Sequence, residues 1–216
     1  MLVVGMGGLG HPAASRLVEM GLGRLGIVDP DHVELSNLPR QLLFREEDVG
    51  RPKVEIASQR LRMVAGDTIV EPHQQQLTRA DASLVVDYDL IVDATDSLAS
   101  KMLVHDVALE VGKPLVHAGV TGDQGQLFTV LPGRGACLRC IFPAIDAAEP
   151  GASCAEAGVL GALVGVFGAM QAAEAALHLN GLGAAWSDRL LAFDHGRWIA
   201  VPTSIDRHCR CQRRSS

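Results

Sequence analysis

MLVVGMGGLGHPAASRLVEMGLGRLGIVD, residues 1–29, is the stretch that decides the fold. A short apolar run at Leu2–Val4 ends at a G-x-G-x-x-G turn, whose glycines permit positive φ and let the backbone approach a phosphate. The glycines of this turn are Gly5, Gly7, Gly8 and Gly10. A second apolar run ends at Asp29, nineteen residues after Gly10, where a carboxylate can accept hydrogen bonds from a ribose. The pattern predicts a strand, a phosphate-binding turn, a helix and a second strand around a nucleotide.

The bulk composition excludes several classes of protein. The chain has 216 residues, 48% hydrophobic and 4% aromatic, which fits one domain with an aliphatic α/β core. A formal net charge of -6 provides no basic surface for wide nucleic-acid binding. The most apolar span, residues 159–170, is too short to cross a bilayer and favours a buried helix. Five cysteines without a visible secretion signal favour metal or catalytic use, so we expect a cytoplasmic protein with neither nucleic-acid nor membrane partners.

Strands and helices alternate along most of the chain. Asp89–Asp93 is an apolar run between two acids, as in parallel strands covered on both faces. The alternating run Gln124–Leu131 should pair antiparallel with the strand before it. We therefore predict an α/β fold, Rossmann-like and three-layered, with a mostly parallel sheet that becomes mixed towards the C-terminus. A later helix, from about 159 to 179, should bury a face made of Ala162, Val166, Ala169, Ala173 and Leu177.

A polar segment follows Asp29, beside the cavity that the glycine turn would create. It contains Asn37, Arg40 and Gln41, and its alternative interpretation is a solvated connection with one helical turn. Lys53 lies at the N-terminus of the next predicted helix, where a cation opposes the helix dipole. An anion such as a triphosphate, bound between the lysine and the helix N-terminus, would remove that penalty.

Asp96 follows the predicted strand Asp89–Asp93. Because open α/β sheets bind ligands at the carboxyl ends of their strands, Asp96 is a candidate ligand-binding residue. The alternative is a helix N-cap, and the two roles are compatible.

The cysteines favour a metal site. Cys137 and Cys140 form a C-x-x-C pair that we do not expect to open a helix, as a thioredoxin-type redox motif would. Cys209 and Cys211 could complete a tetrahedral zinc site with them, or His208 could replace Cys209. The alternative is a set of free cysteines in a flexible tail.

Residues 141–158, between the two cysteine pairs, read as a long mobile loop. The loop carries Cys154, which has Glu156 nearby and no evident cation. The sequence around Cys154 therefore favours an inert thiol.

Seven motifs occur in a fixed order: GMGGLG, IVDPD, SNLPRQ, GRPK, VDATD, CLRC and SCAEAGVLGALVGVFG. Together they resemble the MoeB/ThiF/HesA adenylyltransferases, prokaryotic relatives of ubiquitin-activating enzymes, over essentially the whole chain. The resemblance implies a single adenylation domain, residues 1–216, that uses ATP and Mg²⁺. In such a domain the C-terminal Gly-Gly carboxylate of a ubiquitin-like sulfur-carrier protein attacks the α-phosphate, forms an acyl-adenylate and releases pyrophosphate.

The resemblance also assigns roles to residues. Those matching the family around the nucleotide are Gly7, Gly8 and Gly10 as the cradle, Asp29 at the ribose, Asn37, Arg40, Gln41 and Lys53 at the phosphates and Asp96 on magnesium. In the thiamine branch a cysteine at the position of Cys154 joins the carrier covalently, whereas the molybdopterin branch needs no such step. The resemblance further implies a homodimer and a separate protein as sulfur donor.

The sequence departs from the family at a few positions. Ser97 and Lys101 stand where relatives more often have Asn and Arg, and relatives usually carry an arginine-bearing helical segment ahead of the first strand. Two other interpretations stay open. One is a non-catalytic or partner-dependent member that binds nucleotide or carrier, and the other is an NAD-dependent oxidoreductase, which shares only the first motif and the ribose acid.

Overall fold

The computed structural model describes residues 1–145, 158–209 and 211, and within them eight strands accompany six α-helices. The strands are β1 Leu2–Val4, β2 Arg24–Val28, β3 Ile69–His73, β4 Ile91–Asp93, β5 Leu115–Thr121, β6 Gln124–Val130, β7 Arg189–Asp194 and β8 Arg197–Pro202. The α-helices are α1 Gly10–Glu19, α2 Lys53–Arg62, α3 Ala82–Val86, α4 Leu98–Glu110, α5 Leu138–Ile141 and α6 Gly161–Leu179. Short 3₁₀ segments lie at Leu35–Arg40, Glu46–Asp48 and Arg79–Asp81.

All eight strands form one sheet in the order β3-β2-β1-β4-β5-β6-β7-β8. The first five strands of that order are parallel, and β6, β7 and β8 extend the sheet antiparallel. Val4 of β1 pairs with Val28 of β2 and with Asp93 of β4, and Asp93 pairs with His117 of β5. The loops that follow β1, β2 and β4 therefore meet at one edge of the sheet.

Helices cover the sheet on both faces. On one face, α1, α2 and α6 pack around a core that includes Leu17 and Phe167. On the other face, α3, α4 and α5 pack around a core that includes Val107 and Leu138. The predicted three-layer α/β fold, mostly parallel and mixed towards its C-terminus, is confirmed.

Our prediction of which face of α6 is buried is wrong. Ala162, Val166, Ala173 and Leu177 are exposed, and Ala169 is half-buried. The buried residues lie on the opposite face: Leu163, Val164, Phe167, Gly168, Gln171, Ala172, Glu174 and Ala175. Because the helix is apolar on almost every side, apolar spacing cannot select the buried face. The two polar side chains in that list, which bond to the rest of the fold, mark it instead.

The expectation that the C-x-x-C pair does not open a helix is also wrong. Cys137 is the N-cap residue of α5, a single turn that ends at Ile141. One helical turn places side chains three residues apart on the same face, and this brings the sulfurs of Cys137 and Cys140 together.

By length and composition, α6 is the one helix in the described ranges that could cross a membrane. The core helix of a globular protein passes the same test. Here α6 packs against α1 and β5, and it buries Gln171 and Glu174 within the fold. These contacts are those of a core helix.

Candidate functional site

A cavity of about 400 Å³ opens where the loops after β1, β2 and β4 meet. This is where open α/β sheets bind ligands. The predicted residues that line the cavity are Gly5, Gly7, Gly8, Asp29, Asn37, Arg40, Gln41, Lys53 and Asp96. Distant segments of the sequence thus contribute to a single site.

Two close backbone approaches shape the glycine turn. Gly5 has a φ of 96°, and a Cβ there would lie 2.6 Å from the carbonyl oxygen of Ala94. A Cβ on Gly10 would lie 1.8 Å from the carbonyl oxygen of Gly5, so Gly10 lets α1 pack against the turn and does not itself line the cavity. Gly7 and Gly8 present bare backbone to the cavity, as a phosphate-binding turn requires.

The carboxylate of Asp29 joins the loops after β1 and β2. Its Oδ2 accepts a hydrogen bond from the backbone N–H of Met6 at 2.6 Å, and its Oδ1 accepts one from the N–H of Asp31 at 2.8 Å. Burial raises the pKa of Asp29, and the charge of Lys53 together with the two hydrogen bonds opposes that rise. Each carboxylate oxygen has a further lone pair, so Asp29 can also accept from ribose hydroxyl groups.

Lys53 begins α2 and forms an ion pair at the cavity wall. Its Nζ lies 2.9 Å from Oδ2 of Asp31. The side chain of Lys53 is only 6% exposed, whereas that of Asp31 is 62% exposed. An anionic ligand can therefore replace Asp31 as the partner of Lys53, because the displaced carboxylate returns to water.

The polar segment after β2 contains a helical turn, the 3₁₀ segment Leu35–Arg40, as its alternative interpretation expected. Nη1 of Arg40 donates to the carbonyl of Ser36 at 3.0 Å, which leaves further guanidinium N–H groups for a ligand. Gln41 is buried, and its Oε1 has no hydrogen-bond partner within the described chain. An unpaired buried oxygen costs about 1–3 kcal/mol, so a donor on a bound ligand or its water would be stabilising here.

Asp96 lies in the exposed loop between β4 and α4 and lines the cavity. The N-cap of α4 is its neighbour Ser97, whose Oγ accepts from the backbone N–H of Ser100 at 3.1 Å. The helix cap considered for Asp96 is thus supplied by Ser97. A carboxylate that lines this cavity offers the oxygen ligands that Mg²⁺ prefers.

A buried charge network beneath this loop was missed by the sequence analysis. Asp93 is fully buried, and its Oδ1 accepts from the N–H and the hydroxyl of Thr95 at 3.0 and 2.6 Å. Its Oδ2 accepts from Nδ1 of His117 at 2.7 Å and lies 3.5 Å from Nζ of Lys101. Burial alone would raise the pKa of Asp93, but these partners outweigh burial and hold it well below its ordinary value. Because Thr95 lines the cavity, the network anchors the loop that carries Asp96.

The only signal for this network in the sequence is the presence of Asp93, Lys101 and His117 within otherwise apolar segments. Burial lowers the pKa of His117, and Lys101 acts in the same direction against the hydrogen bond to Asp93. The ring is then neutral, with a proton on Nδ1 and with Nε2 3.4 Å from Nε2 of Gln126.

A second cavity, of about 540 Å³, is separated from the first by the opening turn of α4. Ser100 lines the first cavity, whereas Lys101 lines the second together with His117 and Gln126. The remaining residues of the second cavity are apolar: Leu98, Met102, Leu138, Ile141, Phe142, Pro143, Ala144 and Ile145. The carboxylate of Asp93 therefore contacts one lining residue of the first cavity, Thr95, and two of the second, His117 and Lys101.

The sulfurs of Cys137, Cys140, Cys209 and Cys211 all lie within 4.8 Å of one another. The Sγ of Cys137 is 3.8 Å from that of Cys140 and 3.5 Å from that of Cys209, and the Sγ atoms of Cys140 and Cys211 are 3.6 Å apart. Tetrahedral zinc with bonds of about 2.3 Å to sulfur separates its ligands by about 3.8 Å, so the four thiols fit this ion. The group contains Cys209, whereas His208 is exposed and outside it.

The remaining candidate, Cys154, lies outside the described residues, as do residues 146–157 of the loop predicted over 141–158. At the start of that range, Ile141 is helical and belongs to α5. The predictions of a mobile loop and of a role for Cys154 therefore stay predictions.

Comparisons with known proteins identify the family. Residues 1–212 match the ThiF family. The chain is 46% identical over 195 residues to the adenylyltransferase and sulfurtransferase MOCS3 of Bos taurus, covering 90% of this chain and 43% of that protein. It is 41% identical over 219 residues to the sulfur carrier protein adenylyltransferase of Thermus thermophilus, covering 98% of this chain and 80% of that protein. The SAMP-activating enzyme E1 of Haloferax volcanii is 42% identical over 197 residues, covering 90% and 72%.

Among solved structures, E. coli MccB with ATP superimposes with a TM-score of 0.82 at 20% identity, covering 97% of this chain and 64% of that one. At this identity the likeness establishes the fold alone. The chain spans less than half of the bovine relative and four fifths of the Thermus relative. By its family match and by its identity to these named adenylyltransferases, the chain belongs to the ThiF family, as the motifs indicated.

Proposed function

We propose that the chain is an ATP-dependent adenylyltransferase acting on the C-terminal glycine carboxylate of a ubiquitin-like sulfur-carrier protein. The observation that carries this proposal is the convergence of the glycine turn, Asp29, Lys53 and Asp96 on one cavity. The name of the Thermus relative, a sulfur carrier protein adenylyltransferase, supports the same substrate class.

In the proposed reaction, a carboxylate oxygen of the carrier attacks the α-phosphorus of ATP. The bond from that phosphorus to the pyrophosphate oxygen breaks, and pyrophosphate leaves. Charge builds up on an already anionic triphosphate, so catalysis requires positioning and cationic stabilisation. Lys53 would supply a point charge and Arg40 a planar fork of donors, while Asn37 and Gln41 would orient phosphate oxygens.

The two metals have different proposed roles. Asp96 would hold Mg²⁺, which neutralises phosphate charge when it is bound. The four cysteines would hold Zn²⁺ in a closed structural site, because they leave no open coordination position. Arg139, which lies between Cys137 and Cys140, pairs with Asp106 of α4, so the zinc group would be fastened to α4.

The partners are part of the proposal. A homodimer is supported by the exposed apolar residues of α6, such as Val166 and Leu177, which the fold itself leaves uncovered. Sulfur would come from a separate donor protein, and the reaction would take place in the cytoplasm. Light scattering of the purified chain tests the dimer directly.

Carrier-dependent ATP–pyrophosphate exchange tests the activity, with the adenylate identified by mass. In the variant Asp96→Ala we expect exchange to fall at least about 100-fold, because the carboxylate that would hold the charge-neutralising Mg²⁺ at the phosphates is lost. The matched control is Asp67→Ala, which removes an exposed carboxylate outside the cavity and should leave exchange unchanged. Near-normal exchange by Asp96→Ala would refute the assignment of this residue.

The same preparation separates the alternatives. Exchange by the purified chain alone supports the enzyme, and exchange only after addition of a second family member supports a partner-dependent protein. Stabilisation against heat by NAD and not by ATP would support the oxidoreductase. A ligand at a hundredfold excess over its Kd raises the free energy of unfolding by about 2.7 kcal/mol, which such an assay detects.

A further inference from the structure

The carbonyl group of Gly7 is held by His11 through two hydrogen bonds. The backbone N–H of His11 donates to this oxygen at 3.2 Å, and the ring Nδ1 lies 2.8 Å from it. Since a carbonyl oxygen can only accept, Nδ1 carries a proton, and this defines the tautomer of the neutral ring. His11 is 8% exposed, so water competes little for the bond.

These bonds orient the peptide group between Gly7 and Gly8. In a trans peptide the C=O and the following N–H point in opposite directions. The carbonyl of Gly7 points into α1 towards His11, so the N–H of Gly8 points away from the helix, out of its N-terminal end. Gly7 and Gly8 both line the first cavity, and N–H groups at a helix N-terminus are donors to anions.

The remainder of the turn is fixed by packing. A Cβ on Gly168 of α6 would lie 2.4 Å from the carbonyl oxygen of Leu9, and a Cβ on Gly8 would lie 3.2 Å from Val164. On the cavity side, Asp29 accepts from the N–H of Met6. Within the part of the chain that the structure describes, the side chain that bonds to the Gly7–Gly8 peptide is that of His11.

We infer that His11 is a positioning residue of the phosphate site, whose ring directs the N–H of Gly8 towards a phosphate oxygen of the bound nucleotide. This inference rests on the proposed function. A hydrogen bond donated to the carbonyl also polarises the N–H of the same peptide and strengthens it as a donor. His11 acts through the backbone and does not line the cavity itself.

The test compares three variants that differ in where they place a donor. In His11→Asn the amide nitrogen takes the position of Nδ1, in His11→Gln it lies one bond further out, and His11→Leu has no donor. We expect the Gln and Leu variants to weaken binding of Mg-ATP and of inorganic tripolyphosphate roughly 3- to 10-fold, the effect of one net hydrogen bond. The KM for ATP should rise by the same factor with kcat within about twofold, because the bond aids substrate and transition state equally. The Asn variant should stay within about twofold of the parent chain.

A purely structural role predicts a different result, in which thermal stability falls and kcat changes without rescue by Asn. Normal anion binding by His11→Leu, or equal impairment of the Asn and Gln variants, overturns the inference. If His11→Leu does not fold, the Asn and Gln pair decides, together with the ¹⁵N shifts of the His11 ring, where a proton on Nε2 alone also overturns it.

The outcome also separates this inference from the proposed function. Tripolyphosphate binding that depends on His11, without carrier adenylation, refutes the function and retains the inference. Carrier adenylation together with anion binding that is independent of His11 retains the function and refutes the inference. A chain that binds neither ATP nor tripolyphosphate refutes both.

Discussion

Two lysine–aspartate pairs of this chain differ in the surroundings of the aspartate. Lys53 lies 2.9 Å from Asp31, whose side chain is 62% exposed. Lys101 lies 3.5 Å from Asp93, whose side chain is fully buried and also accepts hydrogen bonds from His117 and Thr95. Both lysines are buried, so the exposure of the acid decides what each pair can do.

In the first pair, Lys53 can exchange Asp31 for another anion. The second pair is suited to hold the structure in place. Asp31 can move into water when a phosphate approaches Lys53, and the buried Asp29 remains near the ammonium group. Asp93 has no such alternative, because its carboxylate is fully buried and has no path into water. The pair in the cavity wall is therefore suited to bind an anion, whereas the pair beneath the Asp96 loop is suited to hold that loop in place.

The largest expected effect is the loss of stability in the variant Asp93→Asn. It leaves the ammonium group of Lys101 buried without a carboxylate, a change that typically costs about 3–5 kcal/mol. Urea unfolding measures the difference in the free energy of unfolding. The matched control is Asp31→Asn, which removes a carboxylate that is mostly in water and leaves the buried Asp29 near the ammonium group of Lys53, so it should cost about 0–1 kcal/mol. Equal losses in the two variants would contradict the distinction between the pairs.

The next effect is on activity and concerns Lys53→Met. We expect it to lose about 2–4 kcal/mol of transition-state stabilisation, a factor of roughly 30 to 1,000 in carrier-dependent exchange, because no other ammonium group lines the cavity within the described residues. The measurement is kcat/KM in pyrophosphate exchange, accompanied by urea unfolding to show that the chain remains folded. A fully active Lys53→Met variant would place the catalytic charge elsewhere.

Local sequence indicates Lys53 of the first pair as a candidate site residue, although not its contact with Asp31, and it indicates neither member of the second pair as one. Lys53 drew notice because it is a cation at a helix N-terminus, and the glycine turn and Asp29 have a defined spacing. Asp96 was found because the end of a buried strand can be located from an apolar run. The cysteine group was found from the spacing within each pair, although only the fold excludes His208 from it.

The contacts of Asp93 could not be predicted because they join residues of different elements, as the contact between Lys53 and Asp31 also does. Asp93, Lys101 and His117 lie on β4, α4 and β5, and nothing in their spacing shows that they meet. The same limit explains the wrong face of α6, since an almost uniformly apolar helix contains no local signal of its orientation. In both places buried polar residues were the available clue, and their partners are set by the tertiary fold.

The smallest effect expected from the comparison is a pH dependence of stability that arises at the second pair. Burial lowers the pKa of His117 from its ordinary value near 6.5. Between the folded and unfolded pKa values the unfolded chain binds a proton that the folded chain does not, so the free energy of unfolding falls as pH falls below about 6.5. Asp93, whose pKa is held low, acts in the same sense further down: its contribution is present above about pH 4 and is lost on further acidification.

Urea unfolding between pH 7 and 5 isolates the share of His117 when the parent chain is compared with His117→Asn. The Asn amide nitrogen can replace Nδ1 as donor to Asp93 but does not titrate, so stability should fall less steeply in the variant. The pH dependence of stability that remains in the variant arises in part from His11, because burial lowers the pKa of His11 as well. Asp123 raises the pKa of the exposed His195, which opposes the trend, but its effect is common to both chains and cancels in the difference. Identical slopes would show that His117 takes up its proton as readily in the folded chain as in the unfolded chain. That result would contradict the assignment of the pH dependence to the buried His117.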